Sequence, residues 1–426
     1  MEQHTSIFPV TDFKEVKAKV LSWVQQFNTF CFLDNHQYQL HPHTQECMLA
    51  AGIRRQVQAS AGTALQQLQA ALDEQPGWFF GHLGYDLHSE TEGTASRLPD
   101  GIGFPDLYFF EPQILIRLLP NELIITAESP SAVWQQIEQM PVGQTSALQP
   151  VNFESRMSRQ QYLDTIESLQ QHILRGDCYE INFCQEFFAT DAFIDPLQVY
   201  QQLSRISPNP FSALYRLENK WLICASPERF LKKQGNRLLS QPIKGTSPRV
   251  QSNQELDNKS KGDLYHSAKD RSENVMVVDL VRNDMSKVCS EGSVHVDELY
   301  GIYSFPQVHQ MISTISGEVA DGQNFSTIIR ATFPMGSMTG APKKRVIQLI
   351  EQYETQRRGL FSGAVGYITP EGDFDFNVVI RSILYNDSTH YVSFPTGSGI
   401  TYYSQPQAEW EECQLKAAAI KQIFSR

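Results

Sequence analysis

Three features of this 426-residue chain predict an α+β fold with antiparallel sheets. Strand-like segments come in pairs joined by short polar turns, as in FSALYRL and KWLICAS around Glu218-Asn219 and in the segments flanking PEGD and NDST. Helical periodicity is confined to interspersed stretches, and no strand-helix-strand succession of the parallel kind recurs. The length suffices to bury a large core, as two domains or as one oversized unit.

In chain order, residues 13–27 read as a short amphipathic helix, and WFFGHLGYDL and PDLYFFEPQILIRLL as aromatic strands, which makes residues 1–140 β-rich. MPVGQTSALQPVNFES lacks a hydrophobic period and carries Pro and Gly, so a linker is expected at 141–157, ahead of a second region at 158–426. There, Ser158 with Gln161 forms a capping box before Tyr162, Ile166, Leu169 and Ile173, and Gly176 is a stop. YEINFCQEFF alternates Tyr179, Ile181 and Phe183 against Glu180, Asn182 and Cys184, the period of a strand with one apolar face. One long helix is expected through 263–284, where Glu273, Val277 and Leu280 recur at helical spacing. GSMTGAP is a glycine-bearing loop that sets Pro342 at a first helical position, and a last helix starts at Pro406 and runs to Phe424.

Composition excludes some functions. With 47 acidic against 35 basic residues the chain carries net −12, which repels phosphate backbones and anionic headgroups; neither nucleic acid nor a membrane is an expected partner. Cys31, Cys47, Cys178, Cys184, Cys224, Cys289 and Cys413 form no CxxC pair and no zinc-like cluster, the pattern of reduced thiols. The start MEQHTSIFPV has no charged-then-apolar signal, and no apolar run reaches the ~18 residues of a membrane helix. A soluble cytoplasmic protein is expected.

Several side chains carry possible chemistry. Glu409, Glu412 and Lys416 share one helical face, which is either solvated, with a Glu412 to Lys416 pair, or, together with Glu273 on another helix, a Mg2+ site for an anionic substrate. The GSMTGAPK run is an ordinary helix entry or an anion site; it lacks the P-loop spacing, and no GxGxxG unit occurs. Arg381, inside the apolar run FNVVIRSIL, calls for an anionic partner, either a structural carboxylate or a ligand's. His309 is a general base or a structural histidine. Glu228 follows a strand end in SPERF, and Lys244 stands in SQPIKGT between Pro242-Ile243 and Gly245-Thr246, where a regular helix or strand would run poorly.

SPERF, QPIKGT, DRSENVMVVDLVRND, GSMTGAPKKRVIQLIEQYE, GAVGYI, VVIRS, GSGI and AEWEECQLKA, in that order, resemble the chorismate-utilising enzymes, which include component I of anthranilate synthase, component I of aminodeoxychorismate synthase and the isochorismate synthases. Fainter likeness in GHLGYDL and PDLYFFEP extends this to the first half. The resemblance implies a sandwich of large antiparallel sheets flanked by helices, with the active site between them. It further implies Glu273 and Glu412 as Mg2+ ligands with Glu409 beside them. Arg381, Tyr367 and the backbone at Gly397 and Gly399 would hold the enolpyruvyl carboxylate of chorismate, Ser337 and Lys416 would line the same pocket, and Gly245 and Thr246 flank Lys244 in it. Glu228 resembles the general acid that protonates the departing 4-hydroxyl.

Within that family, anthranilate-forming members have PIAGT and aminodeoxychorismate-forming members PIKGT, so Lys244 is the discriminating residue. A lysine amine adding at C2 blocks ammonia there and directs it to C4; for this it must be neutral, its pKa lowered by burial and by Mg2+. Glu180 replaces the lysine with which isochorismate-forming relatives activate water. Gln310 stands where several relatives have histidine, with His309 on the opposite strand face. Met335 replaces a glycine of the loop, and Phe32-Leu33-Asp34-Asn35 only faintly echoes a tryptophan-binding Leu-Glu-Ser pattern. No Cys in a glycine-flanked elbow with a partner His marks a glutaminase, so ammonia is expected from a separate glutamine amidotransferase subunit in a heterodimer. The implied product is 4-amino-4-deoxychorismate, for p-aminobenzoate and folate synthesis. Anthranilate synthase component I, isochorismate synthase and a non-catalytic activator of an amidotransferase remain as alternatives.

Overall fold

The structure, a computed structural model, describes residues 3–38, 47–141 and 148–424; residues 142–147 of the expected linker lie outside the described residues. Two long strands, Cys47–Ala59 and Leu107–Leu118, pair antiparallel along most of their length, with a register shift between Ile53 and Arg55 that bends the pair. One end of this ribbon continues through Thr29–Asp34, Phe211–Leu217, Lys220–Ser226, Ser382–Asn386 and Tyr391–Ile400 to Glu180–Ala189. The other continues through Phe79–Leu83, Ala364–Ile368, Phe374–Asn377, Arg229–Gln234 and Arg237–Gln241 to Val308–Glu318. All 20 described strands thus belong to one antiparallel hydrogen-bonded network.

Side-chain alternation sorts the core. In Thr29–Asp34, Phe30 and Phe32 belong to the same buried cluster as Trp23, Tyr162, Leu169 and Ala417 from the helices Phe13–Trp23, Arg159–Leu174 and Pro406–Lys421. Cys31, between them, joins Phe80, Leu231, Leu238 and Phe376 from the other half of the network. The two halves therefore stack face to face with helices outside: the expected α+β sandwich. Strands from before residue 141 pair with strands from beyond 157 at Thr29–Asp34 with Phe211–Leu217 and at Phe79–Leu83 with Ala364–Ile368.

Three local expectations change, each near the site. The helix expected through 263–284 is two helices, Gln254–His266 and Ala268–Ser286, because Ser267 takes an extended backbone and caps the second by accepting from the Asp270 N–H. Pro342 is the N-cap of helix Lys343–Tyr353, not its first residue, and Gly340–Ala341 ahead of it pairs with Glu180 and Ile181. The run FNVVIRSIL is broken between Phe374–Asn377 and Ser382–Asn386, with Arg381 at φ +50°. The alternation at 180–189 holds, but both faces are buried: Glu180, Asn182, Gln185 and Glu186 turn toward other protein groups and not to water.

Arg358 ties the turn Gly336–Met338 to the strand Glu180–Ala189. Its buried guanidinium donates to the carbonyls of Met338 and Asn182 at 2.7 Å each and forms a two-point pair with Glu354 at 2.6 and 3.0 Å. Glu354→Ala leaves that cation buried and unpaired, so chemical denaturation should show a loss of about 3–5 kcal/mol; Glu354→Gln, which keeps the hydrogen-bonding shape, should lose less.

Candidate active site

Lys244 lies in strand Ile243–Pro248, where Ile243 pairs with Ile312 and Thr246 with Gln310, so that one extra residue bulges out. Gly245 makes the bulge possible: its φ is +91°, and a Cβ there would come within 2.9 Å of Asp270 on the first turn of helix Ala268–Ser286. The lysine side chain turns inward and places Nζ 2.5 Å from Oε1 of buried Glu180. Gly399, on the neighbouring strand, leaves room for the pair, since a Cβ would stand 2.7 Å from the Glu180 oxygen and 2.9 Å from the amine.

The surroundings of the amine are acidic. Burial alone would lower its pKa, but Glu180, Glu273 and Glu228 outweigh burial and hold it above the ordinary lysine value. The expected lowering is thus reversed among the protein's own groups, because three carboxylates face one cation. Glu228, at the junction of Lys220–Ser226 and Arg229–Gln234, is buried, which raises its carboxyl to about 7, against the opposing pull of the Ser337 hydroxyl, Lys244, the Ile243 N–H and Arg381. A carboxyl with that value is protonated in about half of the molecules at neutral pH and can deliver that proton. Arg381 is half-buried, and while its carbonyl accepts from the Ala225 N–H, its guanidinium has no hydrogen bond or ion pair with any described residue. Burial lowers it to about 10, with Glu228 opposing, and it stays charged. No structural carboxylate claims it among the described residues.

Ser337, in the turn Gly336–Met338, is buried, and its carbonyl accepts from the Asn182 amide at 3.1 Å. Lys416, half-exposed, donates to the Gly397 carbonyl at 2.8 Å and pairs with Glu412 at the same distance. Thr246 is exposed, opposite Gln310 in the ladder. Tyr367 is not brought to this cluster: its ring packs on Trp78 and Phe80, and it lines a separate cavity with Asp34, Asn35 and Asp375. His309 and Gln310 face opposite ways, as alternation requires. His309 bridges Asp257 at 3.2 Å and Ser304 at 2.8 Å, whereas Gln310 is fully buried with neither amide atom hydrogen-bonded.

The carboxylates on two helices suit a hard cation. Glu273 on Ala268–Ser286 and Glu409 on Pro406–Lys421 are both buried, and Oε1 of the first and Oε2 of the second have no hydrogen-bond partner. Burial lifts Glu273 to about 7 even though Lys244 and Lys269 pull it down. Glu412 is half-exposed; burial raises it, but Lys416, Lys269 and Lys244 bring it below the usual value. No group of three or more His, Cys, Asp or Glu side chains is drawn tightly around one point among the described residues. The two unpartnered carboxylate oxygens of Glu273 and Glu409 fit Mg2+, which takes one or two carboxylates and leaves its remaining positions to water and substrate.

Two residues were not given a role from sequence. Glu180 shares an alternating face with Asn182 in YEINF, but only the fold shows that this face meets Lys244. Lys269 lies 3.9 Å from Glu273 and 4.0 Å from Glu409, and its signal was its place one helical turn before Glu273.

Residues 23–422 match the family described as chorismate binding enzyme, and the chain belongs to it. It is 35% identical over 341 residues to aminodeoxychorismate synthase component 1 of Escherichia coli K12, covering 79% of this chain and 74% of that one. To the protein of the same name in Bacillus subtilis 168 it is 30% identical, covering 82% and 77%. The fold is shared with anthranilate synthase component I from Streptococcus pneumoniae, at TM-score 0.78 and 23% identity over 88% of this chain and 91% of that one. The menaquinone-specific isochorismate synthase MenF of Escherichia coli has the same TM-score at 15% identity, over 100% and 95%.

A pH dependence follows from Glu228. Its folded pKa is raised from 4.5 to about 7, so it favours the folded state fully below pH 4.5 and loses that contribution as pH rises toward 7. In chelator-treated protein, Glu228→Gln should flatten the fall in unfolding free energy between those values by up to about 3 kcal/mol.

Proposed function

We propose that this chain is the synthase component of an aminodeoxychorismate synthase, converting chorismate and ammonia to 4-amino-4-deoxychorismate and water. The observation that carries this reading is the Lys244 amine, set in a bulge against Glu180 and in the field of Glu228. The name shared by its relatives supports it.

In this mechanism Glu180 takes a proton from Lys244 across their 2.5 Å contact, because an ammonium is no nucleophile. The freed amine adds to C2 of chorismate, the two ring double bonds shift, and the C4–O bond breaks. Glu228 supplies the proton that lets the hydroxide leave as water. With C2 blocked, ammonia adds at C4 and the double bonds shift back. Lys244 departs from C2, and the surplus proton on the new amine returns to Glu228. Glu180 restores the proton of Lys244. Atoms balance as chorismate plus ammonia to product plus water. Arg381, with Gly397 and Gly399, would hold the enolpyruvyl carboxylate, and Ser337, Lys416, Gly245 and Thr246 would border the ring; Tyr367 has less support, given its separate cavity. Glu273, Glu409 and Glu412 would hold Mg2+, which supplies charge for anchoring the ring carboxylate.

The relatives' designation as component 1 supports a partner, and we assign it as a glutamine amidotransferase that delivers ammonia. Residues 158–426 would carry the substrate site, after the β-rich 1–140. All seven cysteines are unpaired and buried, and no described helix is long and apolar enough to cross a membrane, which supports a cytoplasmic setting.

Purified chain given chorismate, Mg2+ and ammonium at alkaline pH should form 4-amino-4-deoxychorismate, identified by mass-resolved chromatography. Anthranilate as sole product would contradict the assignment. Lys244→Ala should lower that output on the order of 10²-fold or divert it. Arg381→Ala should raise KM for chorismate about 10- to 100-fold, the loss of a charge-assisted pair with a carboxylate.

A further inference from the structure

Lys269 breaks two rules of helix design. It sits in the first turn of Ala268–Ser286, where the helix dipole disfavours a cation, and it precedes Glu273 by four residues, the weaker order for such a pair. Its position relative to the carboxylates accounts for the violation. The ammonium stands between Glu273 on its own helix and Glu409 on another, at 3.9 and 4.0 Å, closer than water-separated charges yet too far to hydrogen-bond. Both glutamates are buried, and each keeps one oxygen without a hydrogen-bond partner. The lysine side chain is 55% exposed, so its stem can swing to water without breaking a hydrogen bond. Lys244, the other cation that Glu273 feels, is held by Glu180 and is not free to move.

We propose that Lys269 is a displaceable counter-cation: it neutralises the Glu273 and Glu409 pair in the metal-free protein and swings out when a divalent cation takes its place. This rests on the reading of those glutamates as a metal site. An empty pair of buried carboxylates repels itself, and a tethered ammonium relieves that repulsion without filling the coordination sphere. Metal affinity is then the net of attraction to the carboxylates and displacement of the lysine, which keeps the cation exchangeable.

The test is calorimetric titration of the chelator-stripped full chain with MgCl2 alone, without substrate. Lys269→Met removes the competitor and should tighten Mg2+ binding about three- to tenfold, an effect scaled to one partly screened charge near the metal. Lys269→Arg keeps the charge in a fork that grips carboxylates better and should weaken binding below wild type. A lysine that merely steadied the helix would give the opposite sign for Met, so equal or weaker binding by Lys269→Met overturns the proposal. If that happens while wild type still binds Mg2+ and Glu273→Gln does not, the metal site stands and only the role of Lys269 falls. Absence of Mg2+ binding by wild type overturns both.

Discussion

The site depends on one buried contact, the 2.5 Å pair of Lys244 with Glu180. A charged amine in a buried site needs an anion beside it, and a nucleophilic amine needs a base within reach; one carboxylate meets both demands. Around that pair the chain had to accept costs: a bulge at residues 243–246, a glycine at φ +91°, and glycine at 399 where any side chain would strike both partners. Glu228 and Glu273 complete the acidic ring. Burial raises both carboxyls, and Lys269 lies 3.9 Å from the second of them.

The frame that holds this contact is made by long-range pairing. The bent ribbon of Cys47–Ala59 and Leu107–Leu118 forces the two halves of the sheet to face each other, and Arg358 fastens the loop of Ser337 to the strand of Glu180. Families that share such a frame can carry different reactions, and here the structural likeness to anthranilate and isochorismate synthases extends to the fold alone. What separates the reactions is which side chain faces C2 of the ring. The proposed reaction assigns that position to the Lys244 amine.

Much of this was legible in sequence because it rests on local rules. The Ser158 and Gln161 capping box forms as its spacing requires, the hairpin at Glu218-Asn219 closes with Glu218 at φ +55°, and Glu409, Glu412 and Lys416 share a face because 3.6-residue periodicity admits no other outcome. What stayed hidden depends on other strands. Alternation put Glu180 on a polar face but could not show that the face is buried against Lys244. The helix break at Ser267 comes from a serine side chain competing for a backbone N–H, a signal too weak to read inside an otherwise helical run. Lys244 stands out in the sequence by its Pro and Gly neighbours, but the direction in which the protein's own groups move its pKa cannot be read there, because three carboxylates from distant segments set it. Tyr367 was placed by motif, whereas strand geometry turns it into another cavity.

The most direct measurement is intact-protein and peptide mass spectrometry of the chain incubated with chorismate and Mg2+ in the absence of ammonia, then quenched. The expected result is an added mass equal to chorismate less one water, on the peptide containing Lys244, lost in Lys244→Ala and discharged as 4-amino-4-deoxychorismate when ammonium is supplied before the quench. Formation of that product at an unchanged rate by Lys244→Ala, with no adduct on the wild-type chain, would contradict it.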